Sequence, residues 1–374
     1  MRRALTSLSV LALLGALCLD AEATGPDETA AKAPSLRLAT VAPLGTPWSE
    51  QLYDARIRAS ATGATLTPLY HPPGCSEWDL LAAVGLGEPG KTGKRDACEL
   101  DAPLDGALLP LPLLAEAFGL LTLRLLELPM LLSAPPTRAN NRDEDPSAAS
   151  AALADRALEA VMMEEVAKQL ESKGLVVIGW SEIGFRHLFT AGAAQTVEDR
   201  AKLRVRAPND LLGYAVLAPF GWLGIEQLAA SNLGPWLKSA RLDGFDGTPL
   251  FAGNLLAMSD AEGRVNSITL THHSYEAAVI VLRKDRWDDL LPAQQLAIRG
   301  DLKASGARAR QTVRSLQLDL LKAMSAQGRV VRRLSAEDHA LVVSAAETER
   351  GRFTLGPEEA AVYARLREAL ADTL

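Results

Sequence analysis

Short apolar runs with strand character alternate with helix-like patterns along almost the whole chain. That alternation restricts the fold more than any other feature. Ser35–Val41, Thr65–Tyr70, Leu175–Trp180, Leu203–Arg206 and Tyr275–Leu282 read as strands, separated by helical stretches opened by Pro47, Glu77 and Ser147, while Leu104–Pro110 is strongly apolar and reads as buried. Strands joined through helices favour parallel pairing in an α/β fold. Leu111–Leu132 is strongly apolar and reads as buried, and Leu212–Phe220 and Leu223–Leu237 look helical, with a turn at Asp243-Gly244. Pro292–Gln327 reads as one long helix of about 50 Å, bent if at all at Gly300 or Gly306. Ser335 caps a further helix, and Pro357 opens the last. No repeat of fixed period is present.

The first residues do not belong to this pattern. Arg2 and Arg3 precede an apolar run from Leu5 to Leu19, and Ala21-Glu22-Ala23 supplies a small-x-small cleavage pattern. A run of about 15 residues is short of the roughly 20 that span a bilayer. Residues 1–23 are therefore expected to be a cleaved signal peptide, with cleavage near Ala23 and export to the periplasm. Cys18 leaves with it, and Cys75 and Cys98 remain as an even pair in an oxidising compartment, so one disulfide is expected. The net charge of −7 argues against nucleic acid, which needs a basic face. Attraction for an anion must then be local.

Two arginines offer that attraction. Arg186 lies just beyond the apolar run Leu175–Trp180, and Arg206 ends the strand that Pro208 terminates. Two guanidiniums on neighbouring strand ends can meet one anion, because arginine presents a planar fork that matches a carboxylate and never loses its charge. The alternative is two surface arginines paired with Glu182, Glu198 or Asp199.

Other motifs carry less. Gly85–Thr92, GLGEPGKT, satisfies a phosphate-loop pattern, but a helix precedes it where the mechanism needs a strand. It lies between the two cysteines, so it reads as a solvated loop. Gly179–Gly184, GWSEIG, misses the nucleophile-elbow spacing, which counts against Ser181 in a serine hydrolase. His272 and His273 are adjacent, and adjacent side chains on a strand point apart, so neither a metal site nor any cofactor is expected.

Taken in order, these segments resemble the solute-binding proteins of tripartite ATP-independent periplasmic (TRAP) transporters, the DctP type. Leu36–Trp48 is similar to that family's first strand and P-x-G-T-P loop, and Leu126–Leu131 to its L-P-F-L segment. Trp180–His187 matches W-x-E-x-G-F-R-H, Val197–Pro208 resembles E-D-L-K-G-x-K-I-R-V-P, and Leu242–Asp246 resembles V-D-G-x-E. Leu270–Trp287 resembles the strand that crosses back between lobes. The resemblance implies a two-lobed periplasmic-binding-protein-like α/β fold, with crossing hinge strands and a long helix spanning both lobes. Residues 24–34 would be a flexible lead-in, 35–181 and 182–270 the first parts of lobes I and II, 271–310 the return to lobe I, and 311–374 the long and C-terminal helices.

The resemblance further implies no enzymatic chemistry. It implies a receptor that takes an organic anion, most simply a carboxylate with an apolar body, and hands it to an ion-driven membrane permease. Arg206 would hold the carboxylate and Arg186 assist. Glu182, Trp48, Phe220, Trp222, Asp246 and His273 complete the expected ligand set. Gly247 stands where the family usually has asparagine, and Ile183 replaces another, which points to a less polar solute. An exported carrier of apolar ligands, or an interaction protein on the same fold, is the alternative.

Overall fold

The computed structural model describes residues 34–86, 98–136, 146–210, 212–259 and 261–371. The expected signal peptide, Gly87–Thr92 of the glycine-rich motif and most of the polar loop Pro135–Pro146 lie outside these residues.

Among the described residues nine strands form one mixed sheet: β1 (Ser35–Thr40), β2 (Thr65–Tyr70), β3 (Gly106–Pro110), β4 (Leu175–Thr190), β5 (Arg204–Ala207), β6 (Gly224–Gln227), β7 (Gly244–Gly247), β8 (Ser267–Arg283) and β9 (Val330–Arg333). The order is β2-β1-β3-β8-β4-β7-β5-β6, with β9 beside β8. β1 pairs parallel with β2 and β3, and β5 pairs parallel with β6 and β7. Helices α1 (Pro47–Ser60), α2 (Glu77–Ala83), α3 (Leu111–Phe118), α4 (Pro146–Ala157), α5 (Met163–Ser172), α6 (Val197–Arg200) and α7 (Gly213–Leu217) are followed by α8 (Ala230–Lys238) and α9 (Pro249–Met258). The remainder are α10 (Lys284–Asp288), α11 (Pro292–Arg299), α12 (Leu302–Ala326), α13 (Ala336–Arg352) and α14 (Pro357–Ala371).

The two parallel groups are joined by β4 and β8, antiparallel partners of 16 and 17 residues. Each runs well past the five or six residues usual for a strand. The first-group end of β8 pairs with β3 and its other end with β9, while the second-group end of β4 pairs with β7. Alternation along them feeds a core on each face. In the first group Val177, Val279 and Val281 pack with α3, α5 and α14, while Ile178, Ile280 and Leu282 pack with α1 and α11. In the second group Phe189 and Phe245 meet α8 and α9, while Leu188 and Val205 meet Phe220 and α13. Burial on both faces explains why their first-group halves, Leu175–Trp180 and Tyr275–Leu282, read as apolar runs.

The expected single helix over Pro292–Gln327 is two helices. Gly300 adopts φ +54 after α11, and Asp301 caps α12 by accepting from the Ala304 amide. Gly306 stays helical for another reason: a Cβ there would come within 3.0 Å of Trp180 Cβ, so α12 lies hard against β4. Arg310 of α12 is buried and pairs with Asp155 at 2.6 Å and Glu159 at 3.2 Å. The stretch expected as a helix over Leu223–Leu237 contains β6 before α8, and Gly244 begins β7 rather than a turn. Cys75 and Cys98 form a disulfide, with their Cα atoms 4.3 Å apart, across the connection between β2 and β3.

Candidate functional site

β4 and β8 lose regular register where they pass between the two strand groups. Shifts occur at Glu182/Gly184 and at Arg186/Leu188, and Arg186 faces Ser274 while Leu188 faces Thr269. The extra residues on β8 are Leu270–His273, and His272 takes φ +49. His187 holds this bulge: its Nδ1 accepts from the Thr271 amide at 3.2 Å and the His272 amide at 3.3 Å. An accepting Nδ1 requires a neutral ring, and burial pushes its pKa well down. Bulges re-aim side chains. This one leaves His273 Nε2 at 3.4 Å from Asp246 Oδ2, with the Thr271 hydroxyl at 2.7 Å from its Nδ1. These histidines therefore shape the strand.

Beside the bulge lies a buried charge cluster. Arg186 donates from Nε to Asp246 Oδ2 at 2.6 Å and from Nη1 to Glu276 Oε1 at 2.5 Å. Burial opposes its charge, but Asp246 and Glu276 outweigh that and hold it ionised. Burial alone would raise the Asp246 pKa, yet the Arg186 charge and the His273 contact keep it well below the carboxylate range. Arg124 forks onto Glu127, Nε to Oε1 at 3.0 Å and Nη2 to Oε2 at 2.5 Å, and reaches Asp210 at 3.3 Å. Asp210 in turn accepts from the amides of Leu212 and Gly213 ahead of and within α7. Burial pushes the Glu127 pKa up to about 7, opposed by Arg124 and assisted by the negative charges of Glu276 and Asp210. Arg124, Glu127, Arg186, Asp210, Asp246 and Ser274 line a narrow cavity of about 10 Å³, room for about one water.

Arg206 stands next to this cavity, in electrostatic reach of Asp246, Arg186, Asp210 and Glu276. It is only 7 % exposed. Its Nε donates to the Leu228 carbonyl at 2.8 Å, and among the described residues no carboxylate lies within ion-pair distance of it. Burial lowers its pKa. The surface reading of the two arginines fails: neither is a surface group, and their neighbours are not Glu182, Glu198 or Asp199.

Arg186, Arg206, Asp246 and His273 are thus brought together. The four other expected ligand residues are not. The Glu182 carboxylate points to the opposite face of β4, where Arg314 forks onto it at 2.9 Å and the Tyr275 hydroxyl donates at 2.7 Å. Trp48 donates its Nε1 to the Glu182 carbonyl at 3.0 Å and packs with the α1 core. Phe220 is fully buried, edge-on to the His273 ring at 5.4 Å, and Trp222 packs behind it at 6.3 Å. These two rings support His273 instead of facing the cavity. Arg124, Glu127, Asp210 and Glu276 were not anticipated. Arg124 and Glu127 did leave a signal: they are the only well-spaced opposite charges, three apart, inside the apolar run Leu121–Leu132.

Strand groups joined by long crossing strands, with charged side chains buried where the strands cross, define a solute receptor of the two-lobed type. The family model for bacterial extracellular solute-binding proteins, family 7 (DctP), matches residues 147–349, and the chain belongs to that family. The 2,3-diketo-L-gulonate-binding periplasmic protein of Escherichia coli is 25 % identical over 178 residues, 47 % of this chain and 53 % of that relative. The match thus spans about half the length of that curated relative. A TRAP periplasmic solute-binding protein from Ochrobactrum anthropi superposes with a TM-score of 0.71 at 16 % identity, over 91 % of this chain and 97 % of that one. In that structure the C-terminus occupies the ligand pocket. The Chromohalobacter salexigens protein with bound D-glucuronate gives 0.69 at 16 % identity, over 89 % and 99 %. The Xanthobacter autotrophicus protein with β-D-galacturonate gives 0.66 at 18 %, over 89 % and 99 %. At these identities the superpositions speak to fold, and the fold they share is the two-lobed α/β fold expected from the sequence.

Proposed function

We propose that this chain is a periplasmic receptor that captures a small organic acid between its two strand groups and delivers it to a TRAP-type membrane permease. The observation that carries the proposal is Arg206: a buried guanidinium beside a polar cavity, with no carboxylate of the described chain paired to it. A buried charge without a counterion is costly, so a ligand carboxylate would stabilise it. Two charge-assisted bonds from its fork contribute roughly 1.5–3 kcal/mol each. Micromolar affinity requires about −8 kcal/mol, so the remainder must come from the enclosing walls. The relatives with bound uronates and the diketogulonate-binding protein support the acid as ligand class.

In this reading residues 1–23 are a cleavable leader that ends near Ala23, 24–34 are a lead-in, 35–181 and 271–310 build lobe I, 182–270 build lobe II, and 311–374 brace both. Among the described residues no helix is long and apolar enough to cross a membrane. Ligand contact with both lobes would favour the closed state, with β4 and β8 as the hinge. Buried charges at the crossing disfavour an apolar cargo. A serine hydrolase fares worse: Ser181 is fully buried and its hydroxyl accepts from Gln51 Nε2 at 2.8 Å.

The test is a thermal-shift screen against uronates, aldonates and 2-oxo and 2-hydroxy acids, followed by calorimetry of hits on the wild type, Arg206→Ala and Arg206→Lys. At least a tenfold loss is expected in both variants, because a point charge cannot replace a planar fork. Equal affinity in all three removes Arg206 from the site.

A further inference from the structure

The receptor reading leaves open what the solute carries besides its carboxylate, and the inference here rests on that reading. The cluster counts three arginines, Arg124, Arg186 and Arg206, against four carboxylates, Glu127, Asp210, Asp246 and Glu276, which leaves it at −1 when all are ionised. Arg124 already meets Glu127 and Asp210, and Arg186 already meets Asp246 and Glu276. Only Arg206 is unmatched. A plain carboxylate docked on it takes the cluster to −2, and like charges at low dielectric repel strongly.

The second observation is a single atom. Asp246 is 1 % exposed and lines the cavity. Its Oδ2 gathers the Arg186 Nε, the Arg186 Nη2 at 2.6 Å and the His273 Nε2, while its Oδ1 is buried with no hydrogen-bond partner among the described residues. A buried ionised acceptor without a donor is a vacancy in the hydrogen bonding that a ligand can fill.

One ligand chemistry answers both observations. We propose that the solute is a small zwitterion, a protonated amine close to a carboxylate, as in an amino acid. The carboxylate goes to Arg206, and the ammonium donates to Asp246 Oδ1 with Glu276 and Glu127 nearby. The cluster then stays at −1 on binding. A hydroxyl in the amine's place supplies the donor but not the charge.

Matched acids that differ only in that substituent test this. Calorimetry on the leaderless, disulfide-intact protein would compare L-alanine with L-lactate and propionate, and L-valine with L-2-hydroxyisovalerate and isovalerate. The amino acid should bind at least tenfold more tightly than both partners in one series. Arg206→Ala should abolish that binding, and Asp246→Asn, checked for folding by circular dichroism, should cut the amino preference below threefold. A hydroxy or plain acid that binds as well as its amino counterpart overturns the zwitterion while leaving a carboxylate receptor. No binding by any member up to 50 mM overturns the zwitterion, and binding that Arg206→Ala leaves unchanged overturns the receptor reading as well.

Discussion

Arg206 and Glu127 show how burial sets the work of a charged residue. Arg206 is kept ionised with its fork unmatched, so it gains most from a ligand. Glu127 is fully enclosed beside a guanidinium, and its pKa still rises to about 7 because burial dominates. A carboxyl whose folded pKa exceeds its unfolded value binds more protons in the native state between the two values. Stability from Glu127 is therefore complete below about pH 4.5 and falls as pH rises towards about 7. Denaturant midpoints at pH 5.5 and 8 should drop more steeply in the wild type than in Glu127→Gln, by on the order of 2 kcal/mol. Equal pH slopes would show that Arg124 keeps Glu127 ionised throughout. The same proton bears on capture: Glu127 lines the cavity, so its protonation removes one of the negative charges that repel an incoming carboxylate. Anion affinity should rise as pH falls from 8 to 6, and Glu127→Gln should flatten that rise.

The irregular crossing of β4 and β8 is what turns a plain sheet into a site. Gly184 takes φ +113, and a Cβ there would meet the Gln317 side-chain amide at 2.3 Å. That amide donates to the Ile183 carbonyl at 2.6 Å and ties α12 to the bulge. Gly184→Ala should cost about 1–3 kcal/mol and lower the melting temperature by a few degrees, through backbone strain and loss of that bond. An unchanged melting temperature would mean that the bulge tolerates a side chain. Much at this level was readable from sequence, since the chemistry is local. Thr46, Ser76 and Ser335 each accept from the backbone amide three residues on and start α1, α2 and α13 where the pattern placed them. β2 matched residue for residue. β6 did not, because four residues, two half-buried and two exposed, gain strand geometry by pairing with β5, a tertiary fact. The site divided in the same way. Its arginines were legible from their positions at strand ends, but the partners of Arg186 come from 60 and 90 residues away, and only the bulged register makes them neighbours.

Taken together, the chain places two parallel strand groups on either side of one antiparallel crossing, and α12 braces the face away from the charge cluster. Arg314 of α12 forks onto Glu182 and Asp155, so the back of the crossing is held by ion pairs, and in the proposed reading the front presents Arg206 to the solute. The disulfide acts at this scale too. It closes a loop with a sequence separation of 23 between β2 and β3, and its reduction should lower unfolding stability by about 3 kcal/mol in the chain-entropy model. Denaturation with and without reductant checks this, and coincident curves would assign the bond no role in stability. The measurement that bears most directly on the receptor is native mass spectrometry of the protein as purified, wild type beside Arg206→Ala. The wild type should carry a small acid that is released on denaturation and contains a carboxylate, and the folded variant should be empty. The same cargo on both proteins, or a cargo without a carboxylate, would contradict the account.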